Sequence, residues 1–179
     1  VVAVDALDLR VEAGSFFGFL GPNGAGKSTT IKMLTGMIRP DSGVACILDH
    51  DVVDDAIAAK QLTGVVSEEG AVFERLTGAE YLEFVGRMFG MDRPVIKQRS
   101  QELLELMDLA ADQDKLIVDY SHGMQKKLGF AAGLSHDQKV LFLDEPFEGI
   151  DAVTSRLIKA VLNQLRRSGV TIFLTSHIL

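Results

Sequence analysis

The stretch SFFGFLGPNGAGKSTTIKML, Ser15–Leu34, holds three kinds of sequence in direct succession. SFFGFL is a short, aromatic-rich apolar run that ends in a Gly-Pro turn signal, and it reads as a buried strand. From Lys27 onward Ile31, Leu34 and Ile38 recur at helical spacing, with Gly36 and Pro40 marking the end. Between strand and helix lies GPNGAGKS, a match to G-x-x-x-x-G-K-[ST] from Gly21 to Ser28. Glycines at 21, 24 and 26 let the backbone curl round phosphate oxygens without Cβ clashes. Successive N–H groups and the helix N-terminus then supply partial positive charge. Lys27 is placed to reach the β- and γ-phosphates of a nucleotide, and the Ser28 hydroxyl to bind Mg²⁺. The nucleotide-binding stretch is therefore Gly21, Pro22, Asn23, Gly24, Ala25, Gly26, Lys27, Ser28 and Thr29.

Working outward, GVACIL and TGVVS read as two further strands. An all-helical stretch follows, in which Tyr81, Phe84, Val85 and Met88 sit at i, i+3, i+4 and i+7 and Ile96, Leu103, Leu104 and Met107 form a second stripe. Both stripes read as core packing rather than as a cofactor contact. KVLFLDEP is a strand, Leu157, Val161 and Leu165 mark an amphipathic helix, and VTIFLTSH is a strand again. The alternation predicts an α/β fold of the P-loop NTPase type, with a mainly parallel sheet flanked by helices and an inserted α-helical subdomain. The expected division is a RecA-like α/β core from 1–76 and 135–179, with helical residues 77–134.

A chain of 179 residues is one domain in size, or one domain with a subdomain. Its formal net charge of −7 argues against nucleic acid as the main partner and against a polybasic membrane anchor. The single cysteine, Cys46, allows no disulfide within the chain and suits a reducing compartment. No apolar run approaches the ~20 residues of a membrane span. The chain begins without Met and stops just after a strand, so it reads as one domain clipped at both ends.

A phosphate loop needs a second metal partner, and VLFLDE supplies one. Four apolar residues carry Asp144 to the carboxyl end of a strand, where open α/β sheets bind ligands. Asp144 is the expected Mg²⁺ ligand alongside Ser28, and Glu145 the expected general base that polarises the attacking water. His177 closes TIFLTSH at the same edge of the sheet and reads as a sensor of the γ-phosphate.

A second anion grip stands far from the first, in DYSHGMQKK, Asp119–Lys127, where Ser and Gly precede a helix. Lys126 and Lys127 read as lying in that helix's first turn, where cations cost about 0.3–1 kcal/mol each against the dipole. Such a break in the local rule fits either a site awaiting an anion or two side chains bent into water.

The rest of the sequence narrows the class. No Asn-Lys-x-Asp motif of a GTPase is present, and the helical insert has too few Arg residues for the lid of a small-molecule kinase. YSHGMQ resembles the Leu-Ser-Gly-Gly-Gln signature of ATP-binding-cassette (ABC) ATPases, with Ser121, Gly123 and Gln125 matching and Tyr120, His122 and Met124 departing as in one exporter branch. The phosphate loop (Walker A), VVSEEG, the helical insert, the signature, VLFLDEP, EGID and TSH follow in cassette order across essentially the whole chain.

That resemblance implies ATP and Mg²⁺ as cofactors and a head-to-tail dimer, homo- or heteromeric. The segment Ser121, His122, Gly123, Met124 and Gln125 of one chain would cap ATP on the phosphate loop of the other. It implies that Asp151 of EGID lies in the D-loop at the same interface. Glu68, with Glu69 beside it, stands where the family carries a Gln that touches Mg²⁺ and senses the partner subunit; the extra charge leaves the coupling role more natural than the ligand role. The family's adenine-stacking aromatic falls before Val1.

SEEGAVFERLTGAEYLEFVG and YSHGMQKKLGFA look like the ATPase subunits of drug and antibiotic exporters of the ABC-2 type. The expected function is ATP hydrolysis coupled to transport by a separate integral membrane permease. The expected location is the cytoplasm, at the inner face of the cell membrane through that permease. The alternative is a non-transport ABC ATPase acting on ribosomes or DNA, against which stand the short span from Lys27 to Ser121 and the absence of basic extensions. A purely regulatory cassette is disfavoured by the presence of both Glu145 and His177.

Overall fold

The computed structural model describes residues 2–68 and 73–177. Strand β1 (Phe16–Leu20) leads through the phosphate loop into helix α1 (Lys27–Leu34). A two-residue hairpin, β2 (Cys46–Ile47) and β3 (His50–Asp51), precedes α2 (Ala56–Gln61) and β4 (Thr63–Val66). Helices α3 (Gly78–Met88), α4 (Arg93–Leu106) and α5 (His122–Gly133) follow, with short 3-10 turns at Ala110–Asp112 and Ile117–Asp119. Strand β5 (Val140–Leu143), helix α6 (Ala152–Arg167) and β6 (Thr171–Ser176) complete the described elements. The main sheet has the order β1-β6-β5-β4, with β6 parallel to both β1 and β5.

Backbone packing separates two compact units. The first comprises Val1–Val65, Gln138–Pro146 and Leu162–Leu179; the second comprises Val66–Asp137 and Phe147–Val161. In the first, Ile31, Ile47, Val52, Ala59, Val140, Phe142 and Phe173 form a buried core. Phe173 is its hub, with the rings of Phe17, Phe19 and Phe142 at 5.4, 5.6 and 5.3 Å, within the range in which tilted aromatic pairs attract. β5 is buried at all four positions, as a central parallel strand should be.

β1 departs from the expectation of a buried strand. Phe17 and Phe19 turn toward the core, whereas Phe16, Gly18 and Leu20 are exposed. The cause is position: β1 ends the described sheet, and alternate side chains of a strand point to opposite faces. GVACIL forms only the two-residue strand Cys46–Ile47, and Ile38 lies beyond the end of α1.

In the second unit α3 starts from a capping box. The Thr77 hydroxyl accepts from the Glu80 N–H at 3.2 Å, and the Glu80 carboxylate accepts from the Thr77 N–H at 2.9 Å. The stripe expected on α3 is rotated: Tyr81 is buried, but Phe84 is 39 % and Met88 72 % exposed, and the inward face carries Gly78, Leu82 and Gly86 instead. Gly86 explains the rotation, because a Cβ there would stand 2.8 Å from Ile96 of α4. The helices close on their smallest residue, and the larger side chains are turned outward. Ile96, Leu103, Leu104 and Met107 are all buried, as their spacing predicts.

Replacing Phe173 with Ala should lower the unfolding free energy by roughly 3–5 kcal/mol. Urea denaturation of the full-length protein measures this, and a loss below about 1 kcal/mol would mean that the aromatic cluster is not what holds the first unit together.

Candidate functional site: a phosphate loop facing two carboxylates

β1, β5 and β6 deliver the site to one edge of the sheet. Leu20 pairs with Ser176 and Leu143 with Leu174, so Gly21, Asp144, Glu145 and His177 all leave the sheet at its carboxyl end. The Gly21 N–H donates to the Ser176 carbonyl at 3.2 Å and ties the loop to β6. Gly26, at φ 84°, caps α1 in the left-handed region, and a Cβ there would lie 2.4 Å from the Ala3 carbonyl oxygen. No other residue fits that position.

Lys27 is buried. Its ammonium donates to the Gly21 carbonyl at 2.8 Å and the Pro22 carbonyl at 3.2 Å, and stands 3.3 Å from Glu145 Oε1. That oxygen is buried without a hydrogen bond, so the pair is held by charge attraction at ion-pair distance rather than by an aligned N–H. Glu145 Oε2 meets His177 Nδ1 at 3.0 Å. The Glu145 backbone has φ 45°, a strained left-handed conformation for a side-chain-bearing residue. Strand β5 therefore ends abruptly, and the carboxylate is aimed back between Lys27 and His177.

Sequence reasoning missed Thr175. It is fully buried, donates its hydroxyl proton to Asp144 Oδ1 at 2.6 Å and accepts the Glu145 N–H at 3.1 Å. One side chain thus orients both acids. The available signal was a polar residue inside TIFLTSH, two places before His177.

Thr175 occupies one Asp144 oxygen, and Ser28 follows Lys27 in the first turn of α1. These are hard oxygen donors, the set that suits Mg²⁺.

The second expected site lies in the second unit. Ser121 caps α5, its hydroxyl oxygen accepting the Met124 N–H at 3.3 Å, and both Ser121 and His122 are exposed. Gly123 sits beside Asp151: a Cβ there would meet Asp151 Oδ2 at 3.5 Å. His122 lies against Gly149, where a Cβ would come within 3.0 Å of the imidazole. The Ser121–Gly123 turn and the segment from Gly149 to Asp151 are thus in direct contact within one unit. Gln125 is not brought to this turn. Its amide donates to the Ile117 carbonyl at 3.3 Å, and the fifth place of a five-residue signature counted from Tyr120 falls on Met124.

Neither reading of the lysines holds. α5 begins at His122, so Lys126 and Lys127 lie past the first turn, where the dipole penalty has faded. Lys126 donates to the Glu68 carbonyl at 2.5 Å and Lys127 to the Asp108 carbonyl at 3.1 Å. They are neither awaiting an anion nor bent into water. Glu68 is thereby placed beside α5, while Glu69 falls outside the described residues.

Asp151 caps α6. Its Oδ1 accepts the N–H groups of Thr154 and Val153 at 2.9 and 2.8 Å, and its Oδ2 accepts the Thr154 hydroxyl at 2.8 Å. Donation from the Thr154 N–H and then the Thr154 hydroxyl holds the carboxyl below its ordinary range.

A phosphate loop at the carboxyl end of a parallel sheet, faced by two strand-end carboxylates, defines a P-loop NTPase. Residues 4–148 match the family described as ABC transporter, and the chain belongs to that family. It is 40 % identical over 177 residues to the daunorubicin/doxorubicin resistance ATP-binding protein DrrA of Streptomyces peucetius, covering 99 % of this chain and 54 % of that protein. It is 37 % identical to the linearmycin resistance ATP-binding protein LnrL of Bacillus subtilis, covering 97 % and 56 %. The chain thus spans little more than half the length of these relatives. Among solved structures, a dimeric post-hydrolysis ATP-binding cassette bound to ADP and phosphate superposes with a TM-score of 0.89 at 23 % identity, over 98 % of this chain and 80 % of that one. The similarity to drug-resistance ATP-binding proteins agrees with the exporter branch expected from the sequence.

Replacing Thr154 with Val removes the hydroxyl donor but keeps the N–H, so the Asp151 carboxyl should titrate closer to the ordinary 3.8. A depressed pKa contributes stability above the ordinary value and loses it as pH falls through the folded value. The stability gap between Thr154→Val and the parent should therefore close in acid. NMR titration of the Asp151 carboxyl carbon checks the shift, and an unmoved midpoint would contradict the assignment.

Proposed function

We propose that the chain is the ATP-binding and ATP-hydrolysing domain of an ABC exporter, dimerising on ATP to drive a separate membrane permease. The observation that carries this is the meeting of buried Lys27 and buried Glu145 at 3.3 Å beside the phosphate loop, with the more exposed His177 3.0 Å from Glu145.

The backbone N–H groups of Gly21–Ser28 and the start of α1 cradle the β- and γ-phosphates, and Lys27 turns from Glu145 toward them. Released from its ammonium partner, Glu145 accepts a proton from water as the water oxygen bonds to the γ-phosphorus and the bond to the β-bridging oxygen breaks. ADP and phosphate are the products. His177 holds Glu145 in place and lies next to the departing phosphate. Ser28 and Asp144 would hold Mg²⁺, which when bound supplies positive charge against the phosphate oxygens.

Ser121 and Gly123 act in trans on the nucleotide of a second cassette, whether identical or not. Capping uses a lone pair of the Ser121 oxygen, which leaves its O–H a donor toward that phosphate. Asp151 presents the D-loop to the same interface, and Glu68 transmits the permease's state.

Among the described residues no helix is long and apolar enough to cross a membrane; in this reading the permease is a partner outside these residues. Exposed Phe73, Phe84 and Met88, with Phe73 edge-on to Phe84 at 5.2 Å, offer an apolar surface of the kind that marks protein contact. The domain then works at the cytoplasmic face of the membrane. The names of the relatives, which concern resistance to daunorubicin, doxorubicin and linearmycin, favour export of a drug-like compound.

Glu145→Gln in the full-length protein should abolish ATP turnover while leaving a dimer that persists in ATP. Phosphate release and size-exclusion chromatography measure the two properties. Turnover at the parent rate would remove Glu145 from the role of base.

A further inference from the structure

Three consecutive side chains near the start of α5 donate to backbone carbonyls of three different segments. Gln125 reaches Ile117, Lys126 reaches Glu68 and Lys127 reaches Asp108. The signature turn Ser121–Gly123 immediately precedes this trio, so the placement of the turn is set by where those carbonyls lie. Two of the three anchors hold α5 to its own surroundings, the 3-10 turn before it and the turn after α4. The third is different, because Glu68 belongs to the loop that follows β4.

Lys126 is also the costliest of the three. It is only 7 % exposed, and its ammonium rests on a carbonyl dipole. Lys127, by contrast, has the Asp108 carboxylate 3.8 Å away as well as its carbonyl. Among the described residues no carboxylate stands at ion-pair distance from Lys126, and a buried charge so placed is a poor source of stability; an apolar chain of the same length would fill the space without that cost. What the ammonium adds is position: a short, charge-assisted bond that fixes the Glu68 carbonyl relative to α5.

We infer that Lys126 is a positioning residue that locks the coupling loop at Glu68 to the signature helix, so that both move as one body. The inference rests on the proposed function, since it assigns the lock to the step in which the signature closes on the partner's ATP. Any displacement of Glu68 by the permease is delivered through Lys126 to the start of α5. By reciprocity, capture of the partner's nucleotide by Ser121 and Gly123 sets the position of Glu68. Lys126 and its partner Glu68 both belong to the second unit, so removal of the ammonium should leave the phosphate loop of the first unit as it was.

The test uses full-length protein carrying Glu145→Gln, with Lys126→Met and Lys126→Arg added separately. Mant-ATP fluorescence reads nucleotide affinity at a dilution where the protein is monomeric, thermal unfolding reads stability, and analytical ultracentrifugation reads ATP-driven dimerisation. Lys126→Met should raise the ATP concentration for half-dimerisation about tenfold, with mant-ATP affinity and Tm unchanged, and Lys126→Arg should recover most of the loss. Dimerisation of Lys126→Met at the background ATP concentration would overturn the inference. So would a joint fall in Tm, affinity and dimerisation, which would mark Lys126 as merely holding the fold. A background protein that fails to dimerise in ATP would instead overturn the proposed function, and this inference with it.

Discussion

The ammonium of Lys27 is the constraint around which the first unit is arranged. A buried cation must be compensated, and here two loop carbonyls and one oxygen of Glu145 share that task. Compensation by backbone carbonyls requires the chain to double back over the lysine, and only glycine at 26 permits the turn. Compensation by Glu145 requires β5 to break at its end, which the positive φ of that residue accomplishes. Thr175 then fixes Asp144 and Glu145 together, and the parallel register of β1, β6 and β5 brings all of these groups to the same edge. A triphosphate is the natural competitor for Lys27, because it offers several oxygens where Glu145 offers one.

The second unit solves a different problem, which is to present an exposed turn in a defined place. Ser121 caps α5, Asp151 caps α6, and the two caps face each other across Gly123. His122 against Gly149 tightens the same contact. Gln125, Lys126 and Lys127 anchor α5 to three other segments. The turn is therefore rigid without being buried, the property a surface needs if it is to grip a ligand carried by another molecule. In the proposed dimer the phosphate loop and the Ser121 turn are each half of a site.

What could be read from the sequence was whatever depends on local chemistry. The phosphate loop is legible because its glycines are demanded by backbone geometry, and Asp144–Glu145 because four consecutive apolar residues announce a central strand. The capping box at Thr77 and Glu80 was equally legible in principle, being a short-range pattern. What escaped depended on the fold. SFFGFL looks the same whether its strand is central or terminal, and only the sheet order exposes Phe16 and Leu20. The α3 stripe of Phe84 and Met88 obeys helical spacing perfectly well; Gly86, by letting α4 approach, decides which face is inward. Lys126 and Lys127 were judged against their own helix, whereas their partners lie in distant segments. Thr175 was hidden by its ordinary side chain and matters only through two neighbours on the adjacent strand.

The central claim is that each nucleotide is held by the phosphate loop of one chain and the Ser121 turn of another. Mixing full-length chains carrying Lys27→Ala with full-length chains carrying Ser121→Arg tests it most directly. Neither variant alone can assemble a complete site, but a mixed dimer retains one, built from the loop of the second chain and the turn of the first. ATP hydrolysis should therefore appear on mixing two inactive preparations. A mixture no more active than its separate components would contradict the shared site.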